Sequence, residues 1–297
     1  MTLYDFAIAP FADYGFMRRA LAGSIALSVG AAPIGVFLML RRMSLVGDAM
    51  AHAILPGAAI GFLLFGLQLL PMTIGGIIAG LVVALSAGLV ARTTVIKEDA
   101  SLAAFYLISL ALGVVIVSLK GSAVDLMHVL FGTVLALDNE ALVFLGAVAT
   151  ITVFAVALIF RPLIAECVDP TFLSSVHGPG AKVHLAFLVL VVINLVAGFQ
   201  ALGTLLAVGI MMLPATAARF WARTLPGMIA VAVLIAIASC GIGLIVSYHL
   251  SLASGPAITL AAGAFYIASI FVGPISGAVW RVLPQRHRTV PPKETLS

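Results

Sequence analysis

The chain has 297 residues, of which 63% are hydrophobic and 9% charged, and a mean hydropathy of +1.25. A soluble domain carries about a quarter of its residues as charges, so this composition excludes soluble domains and identifies a polytopic membrane protein. The formal net charge of +4 and a pI near 9.3 do not signal nucleic acid, because the basic residues fall in short clusters between apolar runs rather than along one polar stripe.

The first apolar run begins near Leu21, lacks a small-residue cleavage site and is followed by many more, so it is not read as a cleaved signal peptide. A bilayer core needs roughly 20 apolar residues per crossing helix. Nine runs qualify, near 16–40, 45–66, 71–92, 100–119, 139–160, 183–199, 201–221, 226–249 and 255–280. They predict an all-α fold of about nine transmembrane helices, within a range of eight to ten, as one domain over 1–285. The shorter piece 123–137 has Gly132 in its middle and is expected to be a half-helix or re-entrant element. A tenth span there would reverse the first four helices. Residues 286–297, with Pro291 and Pro292 side by side, show no apolar pattern and read as a short cytoplasmic tail.

Lys and Arg favour the cytoplasmic side of short loops. With Arg161 inside, that side collects Arg41, Arg42, Arg92, Lys97, Arg161, Lys182, Arg219, Arg223, Arg281, Arg286, Arg288 and Lys293. The other side receives Arg18, Arg19 and Lys120. The C-terminus is therefore expected in the cytoplasm and the N-terminus outside, with an amphipathic N-terminal segment on the membrane surface holding Arg18 and Arg19.

Between the first two runs lies RRMSLVGDAMAHAILPG, residues 41–57. If this stretch is helical, Asp48 and His52 stand four residues apart on one face and aim a carboxylate and an imidazole at one point. Such a pair suits zinc, or manganese with more oxygen ligands. Equally, an Asp near a helix start favours the helix dipole with no ligand involved. Ionisable groups inside a membrane are expensive and tend to be functional. Pro56-Gly57 directly after them predicts a bend or break, either an ordinary kink or a device that opens polar backbone toward a substrate path.

The stretch from Arg161 to His184 reads as the longest polar cytoplasmic connection. Within it Asp169, Pro170, Thr171, Phe172 and Leu173 read as an N-cap, a first-turn proline and the start of a short helix, ended by Gly178-Pro179-Gly180. That helix is a docking knob for a soluble partner or a passive connector. Glu166, Cys167, His177 and His184 are placed along this loop without regular ligand spacing and do not form a zinc motif. Cys167 and Cys240 make no CxxC pair. His128, Asn194, Gln200, Tyr248 and His249 are expected to be interhelical or interfacial contacts.

The chain has no HExxH, GxSxG or Walker A pattern, so a membrane protease, an esterase and a self-contained ATPase lack their required parts. No catalytic residue and no resident cofactor is expected, and uphill transport would draw its energy from a partner or an ion gradient.

Taken together, FMRRAL at 16–21, GVFLMLRRMSLVGDAMAHAILPGAAIGFLL at 35–64, LFGTVLAL at 130–137, LGTLLAVGIMMLPATAARF at 202–220 and LASGPAITLAAGAFYIASIFVGPISG at 252–277 resemble the membrane permease of bacterial ABC importers for zinc and manganese. The resemblance runs from about residue 16 to 281 in one order. It implies a multi-pass protein of the cytoplasmic (inner) membrane that works as a homodimer, with cytoplasmic ATPase subunits binding ATP and a periplasmic or extracellular metal-binding protein delivering the cargo. It also implies that Asp48 and His52 are a metal way-station and that Asp169, Pro170 and Phe172 begin the helix that docks on the ATPase. There the match is looser: the family has an acidic residue and Phe-Ala after the proline, where this chain has Thr171 and Phe172-Leu173.

Two rival readings stand beside this one. A permease for a metal chelate or cobalamin expects a wide pathway with no acid–histidine pair, against Asp48 and His52. A secondary transporter expects two related halves with paired broken helices, whereas the Asp-x-x-x-His stretch has no copy in the second half. Histidine favours zinc as cargo, and a site with one nitrogen and mostly oxygen donors would suit manganese; a manganese or iron importer permease of the same family is the alternative. Zinc is the expected metal.

Overall fold

The computed structural model describes residues 4, 6, 8–43, 45–66, 68–96, 98–118, 134–168 and 180–275. Among them the regular structure is entirely helical. In chain order the helices are α1 (Ala9–Asp13), α2 (Gly15–Leu40), α3 (Val46–Ala53), α4 (Leu55–Phe65), α5 (Leu69–Thr93), α6 (Glu98–Ser118), α7 (Asn139–Val168), α8 (Gly180–Leu202), α9 (Thr204–Ala218), α10 (Leu225–Leu250) and α11 (Ser254–Val272), with a 3-10 turn at Val134–Ala136.

Eight described segments are long and apolar enough to cross a membrane, with α3 and α4 together making one of them over Val46–Phe65. This lies within the range of eight to ten. The expected run 201–221 folds as the 15-residue α9, about 22 Å long and shorter than a bilayer core of about 30 Å. Its start is fixed at Gly203, whose φ of 98° suits glycine and ends α8. Residues 123–133 and 286–297, where the re-entrant element and the tail are expected, lie outside the described residues.

Burial sorts the helices. α2 and α8 are the inner pair, each wrapped by neighbours: α2 packs on α7, α8, α9 and α10, and α8 on α5, α7 and α9. Phe37 and Phe187, both fully buried, meet edge to face at 6.1 Å where α2 crosses α8. The outer helices α5, α6, α7, α10 and α11 expose Val and Leu side chains such as Leu112, Val143 and Leu158, as lipid-facing surfaces do. With hydrocarbon on both sides of the comparison, close backbone approach rather than apolar burial holds such helices together. A Cβ on Gly57 would collide with the carbonyl of Gly75, and one on Gly75 with the carbonyl of Gly57, so α4 and α5 cross backbone to backbone there.

Polar side chains inside the bundle tie helices together, as expected. Asn194 Nδ2 donates to Thr152 Oγ1 at 2.7 Å, linking α8 to α7, and Thr73 Oγ1 donates to Gln200 Oε1, linking α5 to α8. His249 Nε2 lies 2.9 Å from the carbonyl oxygen of Phe6, and its ring stacks on Phe6 at 4.4 Å. These contacts put the N-terminal residues at the end of α10 and at the end of α2 opposite Arg41. His128 lies outside the described residues.

One expectation needs correction. The polar connection does not begin at Arg161, because α7 continues through Pro162 to Val168. A proline removes one helix hydrogen bond, yet Leu163 is fully buried and Glu166 nearly so, and that packing carries the helix past it. Glu166 and Cys167 are therefore helical residues, and His184 lies inside α8 rather than in a loop.

Candidate metal-binding site

The eight-residue α3 buries almost everything it has. Val46, Gly47, Ala49, Met50, Ala51 and Ala53 all face the interior, and Gly47 lies against Val208 and Met212 of α9. The two exceptions are Asp48, with 68% of its side chain exposed, and His52, with 33%. They share the face that the rest of α3 turns away from the core, as their four-residue spacing requires. Asp48 Oδ1 lies 3.8 Å from His52 Nε2, beyond hydrogen-bond length, so neither group satisfies the other. Tyr106 of α6 stands beside the imidazole, its ring centroid 6.4 Å away.

The break after this pair is real. α3 stops at Ala53, Ile54 is the joint, and α4 starts with Pro56 in its first turn. Pro56 has no N–H to offer the carbonyl of His52. At the next carbonyl, that of Ala53, the hydroxyl of Ser109 on α6 donates at 2.8 Å. Gly113, one turn further along α6, lets that helix lie against Leu55 and Pro56. The joint is thus braced from outside its own ladder.

Among the described residues no group of three or more His, Cys, Asp or Glu side chains could hold a metal. One chain therefore offers two donors on α3, an oxygen and a nitrogen. A cavity of about 660 Å³ among α4, α5 and α6, lined by Pro56, Ile60, Leu64, Ile74 and Val82, contains neither member of the pair and no charged side chain. It has nothing to ligate a cation.

Glu166 and His184 do meet, through a cation of the protein's own. Arg41 Nη2 lies 2.7 Å from His184 Nδ1 and 3.5 Å from Glu166 Oε1. The guanidinium fills the place a metal would need. Arg41 itself, counted in the sequence as a loop residue marking the cytoplasmic side, has only 9% of its side chain exposed. No local signal reports this pairing, because its partners lie 125 and 143 positions away. Asp169, Pro170, Thr171, Phe172 and Leu173, the expected ATPase-docking residues, and His177 lie outside the described residues.

Comparison with known proteins places this geometry in context. The profile of the ABC 3 transport family matches residues 13–273. The manganese import system permease protein ScaB of Streptococcus parasanguinis is 32% identical over 263 residues, covering 88% of this chain and 92% of that protein. The chelated iron transport system membrane protein YfeD of Yersinia pestis is 29% identical over 293 residues, 99% of this chain and 97% of that one. A solved structure of PsaBC from Streptococcus pneumoniae in complex with Fab superposes with a TM-score of 0.80 at 30% identity, covering 92% of this chain and 97% of that chain.

Proposed function

Since the chain belongs to the ABC 3 transport family, we propose that Asp48 and His52 are the point at which its metal cargo is held in passage, and that this cargo is manganese or iron in preference to zinc. The chain is a multi-pass subunit of the bacterial inner membrane, a permease of an ABC importer for metal ions. It is not an enzyme, and ATP hydrolysis belongs to a partner ATPase.

The observation that carries the site reading is the exposure of two ionisable groups on a helix whose other side chains are buried. A carboxylate on the outer face of a membrane-spanning segment is costly against lipid. A second copy of the chain, related by two-fold symmetry, would cover that face and bring a second acid–histidine pair to it. Two oxygens and two nitrogens would then surround the ion. Each protomer alone holds it incompletely, which suits a site that must release what it binds.

Manganese is favoured on two grounds. Relatives that cover most of the chain are named for manganese or iron, and a mixed oxygen and nitrogen donor set accommodates both ions. Zinc stays as the second reading because of the imidazole. The remaining assignments complete the assembly: one permease domain over 1–285 with a cytoplasmic tail at 286–297, a homodimer, ATPase subunits docking at Asp169, Pro170, Thr171, Phe172 and Leu173, and a metal-binding protein delivering cargo from the other side. The sequence pattern of an Asp, a proline and an apolar Phe172, which reads as an N-cap and the start of a helix, supports that docking assignment.

The test is uptake by the complex reconstituted in proteoliposomes, with Mn²⁺, Fe²⁺ and Zn²⁺ supplied singly and in competition. Asp48→Ala and His52→Ala should abolish uptake while the ATPase still copurifies. Uptake at the parent rate by both variants would remove the pair from the pathway, and zinc outcompeting manganese would reverse the order of cargo.

A further inference from the structure

Arg41 joins three helices at one end of the bundle. It caps α2, with its N–H on the carbonyl of Phe37 at 3.0 Å. Arg42 follows with φ of 59°, and the N–H of Met43 returns to the carbonyl of Leu38 at 2.9 Å. This tight turn feeds directly into α3, and Asp48 comes seven residues after Arg41. The guanidinium reaches Glu166, two residues before the end of α7, and His184, in the first turns of α8. It also lies over the ring of Phe187, 5.5 Å from its centroid. Glu166 and His184 therefore bracket the connection 169–179, and Arg41 ties both of its anchors to the turn that carries α3.

The chemistry of the contact is specific. A guanidinium only donates, so Nδ1 of His184 is the acceptor in this contact. Glu166 and His184 are about as buried as Arg41, while Nη1 of Arg41 is buried with no hydrogen-bond partner among the described residues. Buried ion pairs stabilise a fold poorly, and one with an unsatisfied donor does so less than packed apolar groups of the same size. What such a cluster supplies is register, since its directional contacts form in one arrangement of the three helices and fail in others.

We propose that Arg41 is a positioning residue through which movement of the C-terminal end of α7 and the N-terminal end of α8 reaches Asp48 and His52. The inference rests on the reading of 169–173 as the ATPase dock and of Asp48 and His52 as the metal point. A shift of the ends of α7 and α8 pulls on Glu166 and His184, and the guanidinium carries that shift into the turn at Arg42 and the start of α3. Because α3 ends at a joint at Ile54, it can tilt without dragging α4.

The experiment measures metal ions taken up per ATP hydrolysed by the reconstituted complex. Arg41→Met alone strands a buried carboxylate and threatens folding, so the working variant is Arg41→Met/Glu166→Gln, which removes both charges. It should assemble with the ATPase, bind Mn²⁺ at Asp48 and His52 as the parent does, and hydrolyse ATP, with ions moved per ATP falling about tenfold. Arg41→Lys, which keeps the charge and a donor for Glu166 or His184, should recover part of that ratio. An unchanged ratio in the double variant overturns the proposal, and so does a loss of Mn²⁺ binding equal to the loss of transport, which would mark a structural role. Phe172→Asp separates the underlying reading: if the ATPase still docks and transport persists in that variant, the docking assignment fails whatever the Arg41 variants do.

Discussion

Ser109 donates its hydroxyl hydrogen to the carbonyl oxygen of Ala53 at 2.8 Å, one residue past His52 and 56 positions away in sequence. The donor arrives one carbonyl past the gap that Pro56 opens at His52, so α6 braces the break with a bond from outside the α3–α4 ladder. Ser109→Ala should therefore destabilise the permease by roughly 0.5–1 kcal/mol. The expected readout is a lower thermal midpoint of the purified complex together with weaker apparent affinity for Mn²⁺, since the His52 end of α3 loses its brace. A parent-like midpoint would mean that the joint is held by packing alone.

Close packing between α4 and α5 makes a second prediction. Gly57 and Gly75 each leave no room for a Cβ, because the carbonyl of the other stands in the way. Gly57→Ala and Gly75→Ala should each cost about 1–3 kcal/mol through forced separation of the helices. Gly146 and Gly263 sit in α7 and α11 with open space around them. Alanine there should be neutral or stabilising by about 0.5–1 kcal/mol through helix propensity. Thermal unfolding of the four variants side by side checks this. Equal behaviour would show that α4 and α5 separate without penalty.

Much of this architecture was legible because apolar run length maps onto spanning helices with little interference. The run 16–40 became Gly15–Leu40, and 226–249 became Leu225–Leu250. Asp48 and His52 were legible for a local reason, since four-residue spacing fixes a shared face whatever the tertiary structure. What was not legible depended on distant partners. Pro162 reads as a stop, and only the burial of Leu163 and Glu166 explains why α7 passes through it. Arg41 reads as a topology signal identical to its neighbour Arg42, and only the arrival of Glu166 and His184 separates the two roles. Ser109 looks like any small polar residue in a membrane helix until Ala53 is placed beside it.

Orientation is the third prediction. The distribution of basic residues predicts that the 169–179 connection and the C-terminus lie in the cytoplasm. A single cysteine at Ser174, in a background with Cys167 and Cys240 replaced, should react with a membrane-impermeant thiol reagent in inside-out vesicles and stay unlabelled in right-side-out vesicles. Labelling only from the outer side would invert the assembly and move the ATPase dock away from 169–173.

The last prediction concerns the proton as a competitor of the metal. An imidazole ligates through a lone pair that protonation removes, so lowering the pH must weaken Mn²⁺ binding wherever His52 is a ligand. A carboxylate ligand loses a metal to the proton only at lower pH than an imidazole does. His52→Asp should consequently hold Mn²⁺ to lower pH than the parent does, and its all-oxygen donors should lower the preference for Zn²⁺ relative to Mn²⁺. The added carboxylate is tolerable because the position is only partly covered in a single chain, although two acids one helical turn apart repel until a cation binds between them. Equilibrium binding of Mn²⁺ and Zn²⁺ to parent and variant permeases across a pH series decides the matter. A variant whose binding fades over the same pH range as the parent's, with the same order of metals, would show that His52 does not touch the ion.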